Sequence, residues 1–369
     1  MVNSQNRVST ICLTGQDFWC TQANHQDEEK RTIMALQDRP TALGGNPVKA
    51  PDIAAVNSAA NRLSKVIVRT PLIPLHNYDY SNEILLKAEI LQPIGSYKVR
   101  GVYNWAASLT ESQRKRGFST HSAGNTAQAL GYVAGLFGVK ARSLIPDTTP
   151  RIKIQSIENY GVTPVMMPFE QILDFVLKEG WRHDHYSFLD PWGDPMMITG
   201  NGTIALEILD DCPDVESVFI PVGGGGLIAG VGSVLKKLKP SIQIFGVQAK
   251  ACPALHAAFE NGHPIWVDSQ ATICEGVAVP FISDEIYPLL RKIIDKVVLV
   301  SEKSARKAIS WLANRNNLVV EGSGGLSVAA ATATPADRRG KTVCILSGSA
   351  IEPTTLAAII NGSDDFGCL

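Results

Sequence analysis

The sequence has no excess charge of either sign: 34 Lys and Arg against 35 Asp and Glu leave a net charge of −1 over 369 residues. That balance gives no support for nucleic acid or an anionic membrane as partner. No apolar run approaches the ~20 residues that span a bilayer. The most apolar mid-chain stretch, Leu227 to Leu235, meets Lys236 and Lys237 at once. The N-terminus, Met1 to Arg7, lacks the apolar core of a secretory signal. There is no CxxC pair either. Seven cysteines, odd in number and scattered from Cys12 to Cys368, read as free thiols in a reducing compartment. No fixed-period repeat, low-complexity tract or heptad run appears. These absences predict a soluble, cytoplasmic protein, and 45% apolar content predicts a substantial core, in two lobes.

What is present is an alternation of strand and helix signals. Residues 1 to 48 are mixed and polar and read as an extension outside the main fold. From Pro51, the spacing of Ile53, Val56, Ala60, Leu63 and Val66 predicts a helix, and Thr70 to Leu75 an irregular extended lead-in. Strands are predicted at 84–86, 117–121, 141–145, 163–167, 186–189, 217–222, 242–248, 297–300 and 342–346. Helices are predicted at 102–107, 126–137, 151–160, 169–178, 203–209, 227–238, 302–313, 323–331 and 353–360. Such alternation implies parallel sheets covered on both faces, with ligands bound at the carboxyl ends of the strands.

Four loops sit at such ends. Leu91 to Gly101 joins a strand to a helix, with Pro93 and Gly95 marking the turn, and sets Lys98 where loop becomes helix. A lysine held there can be desolvated into an amine nucleophile or base, although a lone lysine is more often a solvated one. Gly223-Gly224-Gly225-Gly226 lies between a strand and a helix. Its backbone N–H groups can approach an anion closely, and the helix dipole adds to the attraction. Gly224-x-Gly226-x-x-Ala229 matches the dinucleotide fingerprint, but the next strand ends at Gln248 and not at an acid. The loop therefore suits a single phosphate. Ser122-Ala123-Gly124-Asn125-Thr126 opens a helix with a hydroxyl, a side-chain amide and free N–H groups. Ser347-Gly348-Ser349 follows an apolar strand; alone, it would be an ordinary turn.

Together the Gly-Ser-Tyr-Lys-x-Arg-Gly run, Ser-Ala-Gly-Asn, Gly202 to Glu207, the tetraglycine and Ser347-Gly348 resemble the fold-type II pyridoxal-phosphate enzymes. These include threonine and serine dehydratases, serine racemase and cysteine synthase, and the resemblance runs from about Ile53 to Ile360. It implies a two-domain α/β fold of the tryptophan synthase β type, with parallel-rich, open twisted sheets flanked by helices. The large cofactor domain would be 49–116 and 195–369, and the small substrate-closing domain 117–194. Lys98 would form an imine with pyridoxal phosphate and then act as base at Cα. Gly223 to Gly226 would hold the phosphate, Asn125 the ring hydroxyl, and Ser347 would face the pyridine nitrogen, with Tyr97 and Leu227 also touching the cofactor. Ser122, Ala123, Gly124 and Thr126 would receive the substrate.

Departures discriminate within that group. Ala123 stands where the racemase branch has a proton-donating serine, which disfavours racemisation. Thr126 stands where dehydratases commonly have histidine, and Tyr97 where phenylalanine is usual; Asn-Thr at this place looks more like cysteine synthase. Gln248, Cys252 and Ala254 occupy positions that bind a cation elsewhere, so no metal is expected. His183-Asp184-His185 reads as solvated, and Glu275 and Glu321 are read as either site or structural residues. The expected activity is β-elimination of water and deamination of L-threonine or L-serine by a homodimer or homotetramer. The alternatives are a β-replacement synthase or another β-eliminating enzyme, a serine racemase, and a non-catalytic pyridoxal-phosphate binder.

Overall fold

A computed structural model describes residues 39–76 and 84–362. Residues 1–38, which hold most of the expected extension with Cys12 and Cys20, lie outside the described residues, as does Cys368. The rest of that extension does not stand apart from the fold. Its irregular backbone finds partners on the body: the Leu43 N–H donates to Glu285 Oε1 and the Val48 N–H to the Glu285 carbonyl, both at 2.8 Å. Trp266 Nε1 donates to the Pro40 carbonyl at 3.0 Å.

Among the described residues ten strands, in chain order, are β1 (Leu72–Pro74), β2 (Ile84–Lys87), β3 (Phe118–Thr120), β4 (Ala141–Pro146), β5 (Val162–Met167), β6 (Ser187–Phe188), β7 (Ser217–Pro221), β8 (Gln243–Ala249), β9 (Lys296–Val300) and β10 (Thr342–Ile345). They form a six-stranded sheet, β1-β2-β10-β7-β8-β9, and a four-stranded sheet, β5-β4-β3-β6. Every pairing is parallel except β1 with β2. This is an α/β protein with parallel-rich sheets, as expected from the alternation; the segment read as irregular, Leu72–Pro74, pairs as an antiparallel edge.

Side-chain alternation sorts the large sheet into two cores. Val218, Ile220, Ile244, Val343 and Ile345 point to one face. Phe219, Phe245, Val247 and Cys344 point to the other. A third core covers the small sheet, where Phe118, Ile145 and Val162 meet Val99, Val102 and Trp105 of the helix Lys98–Ser108. The lysine-bearing helix thus wedges its apolar face against the second sheet.

One helix starts well before the sequence reading placed it, for an identifiable reason. The helix predicted at 203–209 runs from Pro195 to Asp211. Gly200 and Gly202 lie in the added turns, and Gly200 is where this helix lies against its neighbour: a Cβ there would come within 2.5 Å of the Arg100 carbonyl oxygen. Asp194 caps the start by accepting the Met196 and Met197 N–H groups at 2.8 and 3.0 Å, and Pro195 occupies the first turn. The helices Ala254–Asn261 and Tyr287–Ile293, short and weakly periodic, were not predicted.

Candidate active site

Because β2, β10 and β7 are adjacent and parallel, the loops leaving their carboxyl ends converge. From β2 comes the loop to Lys98, which is the first residue of its helix. From β10 comes Ser347-Gly348, and from β7 the tetraglycine. The first two are sewn together. The Tyr97 N–H and Ser96 Oγ both donate to the Ser347 carbonyl, at 3.2 and 3.1 Å. Ser96 and Gly348 form an isolated antiparallel bridge, and the Ser349 N–H donates to the Gly95 carbonyl at 2.9 Å. Gly95 has φ +68°, and a Cβ on it would lie 2.4 Å from Ser349 Oγ, so only glycine suits this crossing.

Beneath the lysine, Arg100 is fully buried and forks onto two carboxylates. Its Nε and Nη2 donate to Glu89 at 2.7 and 2.8 Å; Nη1 and Nη2 donate to Glu207 at 2.7 and 2.9 Å. Lys87, at the end of β2, donates to Glu207 at 2.6 Å. Burial alone would raise the Glu207 carboxyl, but Arg100 and then Lys87 hold it below the usual range.

The tetraglycine turns on Gly225, at φ +98°, and Gly226 begins the helix to Leu238. The first N–H groups of any helix lack partners within it. A Cβ on Gly224 would lie 2.4 Å from Trp192 Cδ1, so the loop and this indole are in close contact. The Leu227 side chain is buried in the core, with Tyr97 packed partly buried against the same core.

Ser122 to Asn125 leave β3 in the other sheet. Ser143 Oγ accepts the Ser122 N–H at 3.0 Å and donates to the Ser122 carbonyl at 2.6 Å. Ser122 Oγ accepts the Gly124 N–H at 3.2 Å. Thr126 is buried in the first turn of the helix Asn125–Phe137. Asn125 Nδ2 reaches across the sheets to Glu321, at 3.1 and 3.0 Å from its two oxygens. Asn125 Oδ1 and Ser323 Oγ are buried without a partner. Of the two glutamates, Glu321 is therefore inside, its carboxyl raised by burial against the lowering effect of Asn125. Glu275 is mostly exposed and pairs with Lys153.

The sequence reading missed three residues. Asp190 accepts the Trp192 and Gly193 N–H groups at 2.9 and 3.0 Å. Trp192 and His121 meet edge to face at 4.9 Å. His121 keeps some exposure through other atoms, but both ring nitrogens are covered and neither has a partner. Burial, with a smaller push from Lys98, lowers its pKa to about 4, so the ring is neutral at pH 7. An unsatisfied buried polar group costs about 1–3 kcal/mol. The available signal was a histidine directly before the Ser-Ala-Gly-Asn run.

His121, Ser122 and Ala123 line a cavity of about 220 Å³ whose other walls include Leu144, Phe169, Ile172, Val176, Trp192 and Phe281. Lys98 lies close enough to act electrostatically on His121, Asp190 and Glu321. Gln248 does not resemble a cation ligand: its Oε1 accepts the Leu255 and His256 N–H groups at 2.9 and 3.1 Å. No cluster of three or more His, Cys, Asp or Glu suited to a metal occurs among the described residues. Nor is any helix among them long and apolar enough to cross a membrane. His183 and His185 are exposed, and Asp184 pairs with Arg142.

A family model described as pyridoxal-phosphate dependent enzyme matches residues 63–348. An L-threonine ammonia-lyase of Thermotoga maritima is 37% identical over 312 residues, 83% of this chain and 77% of that protein. A catabolic L-threonine dehydratase of Escherichia coli is 34% identical over 321 residues, 85% of this chain and 96% of that protein. Among solved structures, maize serine racemase superposes with a TM-score of 0.77 at 27% identity, covering 85% of this chain and 98% of that one. The processed threonine deaminase isoform 2 of Solanum lycopersicum gives 0.75 at 28%, covering 88% and 93%. With a lysine, a glycine cradle and a serine converging at parallel strand ends, and a family match over most of its length, the chain belongs to the pyridoxal-phosphate dependent enzymes.

Proposed function

We propose that the protein removes water and then ammonia from L-threonine or L-serine, leaving a 2-oxo acid. The observation that carries this reading is the seam between Ser96-Tyr97 and Ser347, which joins the loop bearing Lys98 to the loop leaving β10. The cofactor fits the residues present. The glycine turn leaves no side chain between the helix N-terminus and an anion. Asn125 Oδ1 and Ser323 Oγ are buried polar atoms still lacking partners. Gly223 to Gly226 and the helix start at Leu227 would hold the phosphate, Lys98 would anchor the aldehyde carbon, and Asn125 and Tyr97 would border the ring. Ser347 would offer the ring nitrogen a neutral hydroxyl, which does not hold that nitrogen protonated as a carboxylate would.

Bound there, pyridoxal phosphate supplies an electron sink for charge developing at Cα. Ser122, held by Ser143 and by the Gly124 N–H on its Oγ, and the neighbouring Ala123 N–H orient the substrate carboxylate, with Thr126 behind them. Lys98 Nζ accepts the Cα proton. The Cα electron pair forms a double bond to Cβ as the Cβ–O bond breaks and the hydroxyl leaves with a proton as water. Tautomerisation and hydrolysis consume one water and release ammonia, so no oxidant or reductant is needed. Ala123 has no proton to deliver to the opposite face.

A second reading, β-replacement, is favoured by Thr126, buried where a histidine is common in dehydratases. Oxo-acid release from serine and threonine, with and without a thiol, separates the two. No oxo acid unless a nucleophile is supplied would sink the dehydratase reading. Lys98→Ala should abolish turnover and the visible band of the bound cofactor, and retention of both would overturn the assignment. We place the large cofactor domain at 49–116 and 195–369 and the closing domain at 117–194, in a cytoplasmic homodimer or homotetramer. Light scattering tests the assembly.

A further inference from the structure

We infer that this site takes 2-amino-3-hydroxy acids bearing a bulky apolar group on Cβ, seated in the cavity beside Ser122 and Ala123. The inference rests on the elimination reading above and names its substrate class. It begins from the position of the cavity. Ser122 and Ala123, assigned to the substrate carboxylate, are themselves part of its wall. A substrate held by that loop, with Cα turned to Lys98, has this space beside its remaining substituent.

Size comes next. A single water needs roughly 10–15 Å³ of such space, whereas the cavity offers about 220 Å³. The hydrogen or methyl group of serine or threonine would leave most of it unfilled. Leu144, Phe169, Ile172, Val176, Trp192 and Phe281 offer no side-chain partner to hold ordered water there, apart from the Trp192 indole N–H. An aryl or branched alkyl group would fill it by dispersion and apolar burial.

Polarity supplies the second, independent observation. His121 belongs to this wall, yet both of its ring nitrogens are covered and do not open onto the space, so the ring adds only apolar surface to it. The ring is clamped between Phe188, stacked at 5.8 Å and 8° to it, and the edge-on Trp192. A ring held this way keeps the cavity side apolar, which suits an aryl or branched alkyl group and not a polar one.

The test uses the cofactor-loaded enzyme. The kcat/KM for oxo-acid release from β-phenylserine should exceed that from L-threonine by at least about tenfold, since single methylenes already shift such ratios by 10–200-fold. Equal or better use of threonine would overturn the inference and leave the elimination reading intact. Binding is read separately, from the shift of the cofactor band with non-reacting L-phenylalanine and L-2-aminobutyrate; phenylalanine should bind at least about tenfold tighter. That preference without oxo acid from any substrate would sustain the apolar pocket and sink the elimination reading. No preference would overturn the pocket whatever the turnover.

Discussion

Replacing Arg100 with methionine should cost more stability than any other single change at the site. The buried group contains two cations, Lys87 and Arg100, and two carboxylates, Glu89 and Glu207, so it is neutral as built. Arg100→Met leaves one negative charge uncompensated and strips four charge-assisted bonds, two on each carboxylate. Breaking one partner of a buried ion pair costs about 3–5 kcal/mol, a large share of the ~5–15 kcal/mol that holds a typical domain folded. The assay is equilibrium urea unfolding of the cofactor-free protein, following tryptophan fluorescence. Arg100→Lys should also fail, because an ammonium cannot fork onto both carboxylates. Adding Glu89→Gln to Arg100→Met restores neutrality while keeping an acceptor for Thr70 Oγ1, which now donates to Glu89 at 2.6 Å. The double variant should recover at least about half of the loss. A loss below about 1 kcal/mol for Arg100→Met, or no recovery in the double variant, would refute the charge argument. The consequence for function is direct, since Arg100 fastens the helix turn that carries Lys98 to Glu89, just beyond β2, and to the helix holding Glu207.

Two further perturbations test the site's walls. His121 has its pKa lowered from 6.5 to about 4, so the unfolded chain takes up a proton over that interval and the folded chain does not. Stability from this group is complete above pH 6.5 and falls as pH drops toward 4, by about 3 kcal/mol in all. His121→Phe should flatten that part of a stability-versus-pH curve, and an unaltered slope would contradict the burial of the ring nitrogens. Gly224→Ala places a methyl against Trp192, where the ideal Cβ position is 2.4 Å from Cδ1. Overpacking of this kind costs roughly 1–3 kcal/mol, so cofactor affinity, measured by absorbance titration, should fall about tenfold or more. Unchanged affinity would mean that the indole yields.

What could be read in the chain alone was whatever is written locally. Strand, tight turn and helix start are encoded within a few residues of Lys98, Gly223 to Gly226 and Ser347, because glycine and proline punctuate and apolar runs alternate. The parallel topology then brings those loops together with no further information. The cavity is a different kind of object. Its walls come from Leu43, from 121–123, 144–146, 169–176, 192 and 278–281, six separate stretches joined by no shared motif or spacing. His121 follows the same logic. In the sequence it is a polar residue closing a short strand, next to a run whose other members explain themselves. Only when Phe188 and Trp192 close over it does a histidine without a hydrogen-bond partner become visible. The chemistry shared with relatives therefore sits in contiguous motifs, whereas the feature that selects among substrates is assembled from side chains distant in the chain. Thr126 illustrates the difference. Its departure from the dehydratase pattern is legible, yet its meaning depends on a second histidine position, five residues earlier, that faces the same substrate loop from the cavity side.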